Sequence, residues 1–271
     1  MIGTGARAAA VARLLTAKFG PVGIFDSSGD ARDGAATTCA LPCRSPVELR
    51  ARADVVVTLL PDEPALRAVL FGPAGLTQST GSAPVILDLS PMLPWNMKDI
   101  VAQCRQHGVA AFGGSIINRS DDKATMSTLY VDSAALKIDG LQAVVRALGG
   151  NVVPTGETGN AKALSLLTEL LVGVNCAVVR EALAMGQRAG LDTAMLTGLL
   201  QKGSGATAVM TARAEVDAGA DLCKGLQRAA AAALRVDHSL FFGSAGIASL
   251  LAQPQFASGA RGAHAHAAER S

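Results

Sequence analysis

Aromatic residues are scarce: seven Phe, one Trp and one Tyr make up only 3% of the 271-residue chain. Nucleic-acid bases need rings to stack on, so this shortage argues against a single-strand binding surface. Charge is sparse too. Only 17% of residues carry it, and 24 Lys and Arg against 22 Asp and Glu leave a formal +2. So weak a field draws in neither nucleic acid nor an anionic membrane. No uninterrupted apolar run reaches the roughly eighteen residues of a spanning helix, so no membrane partner is expected. The five cysteines (Cys39, Cys43, Cys104, Cys176, Cys223) are odd in number and scattered. Cys39 and Cys43 lack a second Cys or His pair at metal-ligand spacing, so free thiols and no metal site are expected, as in a cytoplasmic protein.

What the chain does have is aliphatic. Hydrophobic residues make up 49% of it, the composition of a compact folded protein with core enough for one or two domains. Up to about residue 154, short β-branched runs alternate with helical stretches: Val22–Phe25, Val55–Leu60, Val85–Leu89, Val109–Phe112, Thr128–Val131 and Asn151–Val153. Runs of this length with crossover-sized spacers predict a doubly wound parallel sheet, an α/β fold. After Gly159 the strand signals stop. Ala161–Ala189, Thr193–Gln201, Val209–Ala218 and Leu222–Val236 follow helical spacing with glycine breaks between them. We therefore expect a dinucleotide-binding domain over 1–154, an all-α domain over 155–252, and a disordered tail over 253–271 in which His264 and His266 are inert.

Gly3-Thr4-Gly5-Ala6-Arg7-Ala8 fits G-x-G-x-x-G/A at the head of a helix. Gly3 allows a tight turn, Gly5 lets a pyrophosphate approach the backbone, and the small Ala8 lets helix pack on strand. The basic residues Arg7, Arg13 and Lys18 also permit a transit-peptide reading of Met1–Phe19, but the nucleotide loop accounts for more of the segment. Asp26 ends the next strand, where a carboxylate accepts hydrogen bonds from the adenosine ribose. An acid there repels a 2′-phosphate, so NAD is favoured over NADP, with Arg32 close enough in sequence to weigh the other way.

Thr155–Asp192 orders a strand end, a Gly-bearing turn and a helix of nearly thirty residues. That order resembles the β-hydroxyacid dehydrogenases, the family of 3-hydroxyisobutyrate dehydrogenase and tartronate semialdehyde reductase. The resemblance runs over roughly residues 1–250. It implies a Rossmann domain followed by a helical one, dimers through the helical halves, and NAD(P)-linked hydride transfer on a small substrate. Ala53–Pro61 resembles the strand that ends in Leu-Pro beside the cofactor ribose, which implicates Leu60 and Pro61. Asp88–Pro94 resembles the loop near the nicotinamide, with Ser90 kept and Pro91 where threonine is usual. Leu222–Leu226 resembles a helical segment whose lysine reaches the cofactor, here Lys224, although Gly225 replaces its aspartate.

The remaining matches depart from the family. Its substrate-carboxylate loop falls on Gly113–Arg119, so Ile117 takes the serine position and Asn118 and Arg119 those of two glycines. Arg119 still offers a fork for an acid. Ser165 stands at the catalytic lysine position and Glu169 at that of an asparagine. A serine hydroxyl is too weak a base to take an alcohol proton unaided. Lys162, Ser165 and Glu169 share a helix face, so Lys162 could extend into the site and Glu169 could hold Ser165 or act itself. Equally, Lys162 and Glu169 could be ordinary polar residues at a subunit surface. Gly113-Gly114, Gly156-Glu157 and Ala163-Leu164-Ser165 are similar to imine reductases, which also lack that lysine and need little proton chemistry. A cofactor-binding protein without turnover is the third reading. The family also has four or five more residues ahead of the glycine loop, so either the chain as given starts late or Met1 and Ile2 form a stub of the central strand.

Overall fold

A computed structural model describes residues 1–27, 40–78, 83–117 and 128–203. Elements in its first part alternate: α1 (Ala6–Phe19), β1 (Val22–Ile24), β2 (Ala40–Pro42), α2 (Pro46–Arg50), β3 (Val55–Thr58), α3 (Glu63–Phe71), β4 (Val85–Asp88), α4 (Pro94–Gln106), β5 (Ala111–Ile117) and β6 (Thr128–Val131). A 3₁₀ turn (Ser133–Lys137), α5 (Asp139–Leu148) and β7 (Asn151–Pro154) follow, then the long α6 (Asn160–Arg188) and α7 (Thr193–Leu200).

Five strands pair in the order β3-β4-β5-β6-β7, and β1 pairs with β2. Every pairing is parallel except β5 with β6. The doubly wound α/β fold read from the sequence is the fold found, with one antiparallel pair added.

Met1 and Ile2 join the two groups of strands. Ile2 forms parallel bridges to Phe25 on one side and Thr58 on the other. Its N–H donates to Val57 O at 2.8 Å and its carbonyl accepts from Leu59 N at 2.9 Å, while Met1 O accepts from Phe25 N at 3.0 Å. Met1 and Ile2 are thus paired on both sides.

Strand alternation sorts the core into two layers. Val57 and Leu87 point to one face with Met1, Val11 and Leu15 of α1, and Leu141 and Val145 of α5. Val56 and Ile86 point to the other with Ile2, Leu49 of α2, Leu66 and Leu70 of α3, and Met97 and Ile100 of α4. Helices on both faces are what near-continuous apolar strands require. Local signals set the helix starts. Asp62 accepts from Ala65 N at the head of α3, which also carries a proline in its first turn. Ser45 accepts from Glu48 N while Arg44 N donates back to Glu48, a reciprocal cap on α2.

Two compact units divide at Ser165 and Leu166, inside α6 rather than ahead of it. In the second unit, the described residues comprise the rest of α6 and α7. By length and composition, α6 could cross a membrane: an 18-residue window has mean hydropathy 1.6 and is 29% buried. Its charged residues interrupt the apolar runs without lowering the window average enough.

Candidate dinucleotide site

The glycine loop lies at the C-terminal edge of the sheet, where open α/β sheets take their ligands. Gly3 has φ +110°, and a Cβ built there would stand 2.2 Å from the carbonyl oxygen of Leu59. Only glycine fits. Gly5 is the opposite case: it sits in ordinary extended geometry, and among the described residues nothing lies within 4 Å of where its Cβ would be. It is the N-cap of α1, which has neither a side-chain cap nor an acidic residue in its first turn. The helix therefore presents free N–H groups and its positive end to an open space. Ala8 is buried beneath the loop, as its small size allows.

Asp26, half-buried just past β1, accepts from Thr4 Oγ1 at 2.7 Å. That bond brings the ribose-binding candidate to the glycine loop and sets the direction of its carboxylate. The loop, the open cradle at Gly5 and the acid beside them fit a dinucleotide.

The neighbouring strand ends are tightly bonded. Thr58 Oγ1 and Ser90 Oγ both donate to Asp88 Oδ1, each at 2.7 Å, and Leu60 N donates to Ser90 Oγ at 2.9 Å. Ser90 is fully buried, so its side chain serves this network, and Leu60 is nearly so. Pro61 is exposed, and Trp95, in the first turn of α4, is half-buried.

Lys162 is only 1% exposed, and its Nζ donates to Asp88 Oδ2, Ser90 O and Gly114 O at 2.8 Å and to Asp88 O at 3.0 Å. All its hydrogens are engaged inside the domain. The face shared with Ser165 and Glu169 therefore does not carry a free amine into a site. Ser165 and Glu169 are half-buried on α6, and Ile117 is half-buried at the end of β5. Asn118, Arg119, Arg32 and Lys224, the tail, and Cys39 and Cys223 lie outside the described residues. Cys43, Cys104 and Cys176 are free thiols, and burial pushes Cys104 up to about 12. No group of three or more His, Cys, Asp or Glu among the described residues is arranged to hold a metal.

One residue was missed from the sequence. Asp132 follows β6, is 1% exposed, and accepts from Gly113 N through Oδ2 at 2.7 Å. Its Oδ1 has no hydrogen-bond partner. Burial raises its carboxyl to about 6, against the lowering pull of the Gly113 amide, the Lys162 charge and the Gly159 amide. In the sequence, Val131-Asp132-Ser133 reads as an ordinary strand-to-turn acid, so no signal marked it.

Comparison with known proteins bears on this geometry. Residues 1–156 match the family model for the NAD binding domain of 6-phosphogluconate dehydrogenase. The chain belongs to that family. Among curated members, 2-(hydroxymethyl)glutarate dehydrogenase of Eubacterium barkeri is 25% identical over 174 residues, 64% of this chain and 58% of its own length. The chain thus spans less than two thirds of that relative. Solved structures share the fold as well. A 3-hydroxyisobutyrate dehydrogenase from Salmonella typhimurium has TM-score 0.76 and 20% identity, covering 92% of this chain and 90% of its own. An imine reductase from Myxococcus stipitatus, in complex with NADP+, has TM-score 0.66 and 18% identity, covering 74% of this chain and 69% of its own. Its V8 variant, in complex with NAD+, has TM-score 0.61 and 20% identity, covering 74% and 70%. The family resemblance drawn from the sequence is met, imine reductases included.

Proposed function

We propose that the protein is an NAD(P)-dependent oxidoreductase that moves hydride to or from a small hydroxyacid or carbonyl compound. One observation carries this reading: the open cradle at Gly5 on an uncapped helix, with Asp26 held beside it by Thr4. Once bound, the nicotinamide supplies or accepts the hydride. The chain's own part is to hold the phosphates on the α1 amides, meet the adenosine ribose with Asp26, and handle one proton. The same carboxylate favours NAD over NADP. On this reading Leu60, Pro61 and Ser90 shape the nicotinamide side and Lys224 adds a cofactor contact. Ile117, Asn118 and Arg119 face the substrate, and Ser165 with Glu169 manage the proton.

The engagement of Lys162 favours a second reading. It is the only lysine of α6, and its hydrogens are spent on Asp88 and three carbonyls. A helix whose one lysine is so engaged suits imine reduction, which needs hydride delivery and little proton chemistry. We further propose a cytoplasmic homodimer. Leu171, Val178 and Met185 recur at every seventh position of α6 and are exposed, a pattern that supports pairing of helices between two copies. The seating of Lys162 inside the first unit supports an α6 that begins in protein rather than in lipid.

The test is titration with NADH and then NADPH, followed by quenching of Trp95, the single tryptophan, and by calorimetry. Saturable binding with NADH the tighter ligand is expected, and a screen of hydroxyacids, carbonyls and imines then separates the two chemistries. Absence of binding by either nucleotide refutes the proposal. Tight binding without turnover of any class leaves a nucleotide-binding protein that is not an enzyme.

A further inference from the structure

A lysine with its ammonium sealed in a domain interior is uncommon, because removing the charge from water costs several kcal/mol unless it is well paired. Lys162 is held by one carboxylate and three backbone carbonyls, at Asp88, Ser90 and Gly114. Most of what it binds is therefore main chain, at the C-terminal end of β4 and in the middle of β5. The link reaches β3 as well. Asp88 Oδ1 takes Thr58 Oγ1 and Ser90 Oγ, and Ser90 Oγ in turn takes the amide of Leu60. One cation on the first turn of α6 thus ties the ends of β3 and β4 to the middle of β5.

Stability alone is a poor account of such a pair, since apolar replacements of both partners are often neutral or better. What a side chain bonded to carbonyls does fix is the course of the backbone. We propose that Lys162 is a positioning residue for the nicotinamide side of the cofactor site. It holds the Leu60–Pro61 and Ser90 loops in place through Asp88 and the strand-end carbonyls. The inference rests on the dinucleotide reading above. The adenosine side has its own device, Thr4 on Asp26, whose bond does not involve Lys162. Losing Lys162 should therefore be felt on one side of the nucleotide only.

The test compares NADH with ADP-ribose, which carries the adenosine and pyrophosphate but no nicotinamide, by calorimetry on the full chain. Lys162→Met leaves Asp88 buried without its cation and is expected to lower the melting temperature. The double variant Asp88→Asn with Lys162→Met removes both charges and is expected to regain stability. In the double variant NADH should still bind roughly tenfold more weakly than in the parent, while ADP-ribose stays within about twofold. Should neither variant fold, Ser90→Ala cuts the Leu60 tie, keeps the ion pair, and carries the same expectation. NADH binding at parental strength, or equal weakening of both ligands, overturns the inference. A parent chain that binds ADP-ribose but gains nothing from the nicotinamide half also overturns it. A parent that binds neither ligand overturns the dinucleotide reading itself, and this inference with it.

Discussion

Two glycines two residues apart should respond to the same substitution in opposite ways. Gly3→Ala places a methyl 2.2 Å from the Leu59 carbonyl oxygen, at a φ of +110°. The backbone conformation costs about 1–2 kcal/mol for a residue with a Cβ, and overpacking adds about 1–3 kcal/mol. Their sum, about 2–5 kcal/mol, lowers the melting temperature of a domain this size by roughly 5–20 °C. Gly5→Ala meets no atom within 4 Å and keeps an ordinary φ of −55°. Losing a glycine N-cap costs roughly 0.5–1 kcal/mol, and the lower entropy of the unfolded chain returns about 0.4–1 kcal/mol. The two nearly cancel, so the melting temperature should move by no more than about 2 °C. The new methyl occupies the space where a pyrophosphate would approach, and an overpacking cost of about 1–3 kcal/mol translates into roughly 10- to 100-fold weaker NADH binding. Thermal melts and calorimetry on the two variants settle the matter. If Gly5→Ala binds NADH as tightly as the parent, the open space is not the phosphate cradle. If it melts as early as Gly3→Ala, the space is not open.

Asp26→Ala should weaken NADH more than NADPH in the same titrations, and equal losses would show that the ribose contact lies elsewhere. Ser165→Lys, which puts an amine where the family resemblance would set the catalytic lysine, should create or raise hydroxyacid oxidation measured as NADH formation. No gain in a folded variant would show that the substrate loop has diverged as well. Asp132 should make stability fall as pH rises. Its folded-state value of about 6 lies above the usual 3.8, so between these values the folded chain holds a proton that the unfolded chain has released. The stabilising protonated form is complete below about pH 4 and lost by about pH 6, at a cost on the order of 3 kcal/mol at neutral pH. Asp132→Asn should flatten that slope in urea melts between pH 4 and 7; an unchanged slope would show that the carboxyl is not its source.

Where the sequence was legible, a local physical rule was responsible. Gly159 and Gly190, both at positive φ, punctuate α6, so its span could be read to within a residue. Val55–Thr58 is β-branched throughout and Val85–Leu87 is aliphatic, and both runs stand in the middle of the sheet. By contrast, β2 is Ala-Leu-Pro, with no β-branched residue and a proline that normally argues against a strand, and it was missed. Strand β5 runs on through Gly113 and Gly114, which read as a break. A Cβ at Gly114 would stand 2.9 Å from Leu89, so this glycine serves close packing within the sheet rather than a turn. The direction of β6 against β5 leaves no trace in residue pattern. The site divides in the same way. The glycine loop and Asp26 were legible because their spacing follows from the geometry of one strand-turn-helix unit. The bond from Lys162 to Asp88 spans 74 residues, and helix periodicity gives the face of a long side chain but not its destination.

The pairing of Met1 and Ile2 has a mechanical consequence. Met1 and Ile2 form the seam between the β1–β2 pair and the other five strands, and their side chains plug the two opposite cores. Opening at this seam would take β1 and the glycine loop away from β3 while the β3–β4 ladder stays closed. Amide protons at Gly3 and Phe25 should then exchange with solvent ahead of those at Val57 and Leu87. Any molecule gripping both sides of that seam would act as a cross-brace, so occupancy would be legible as slowed exchange at those two amides before any chemistry is measured.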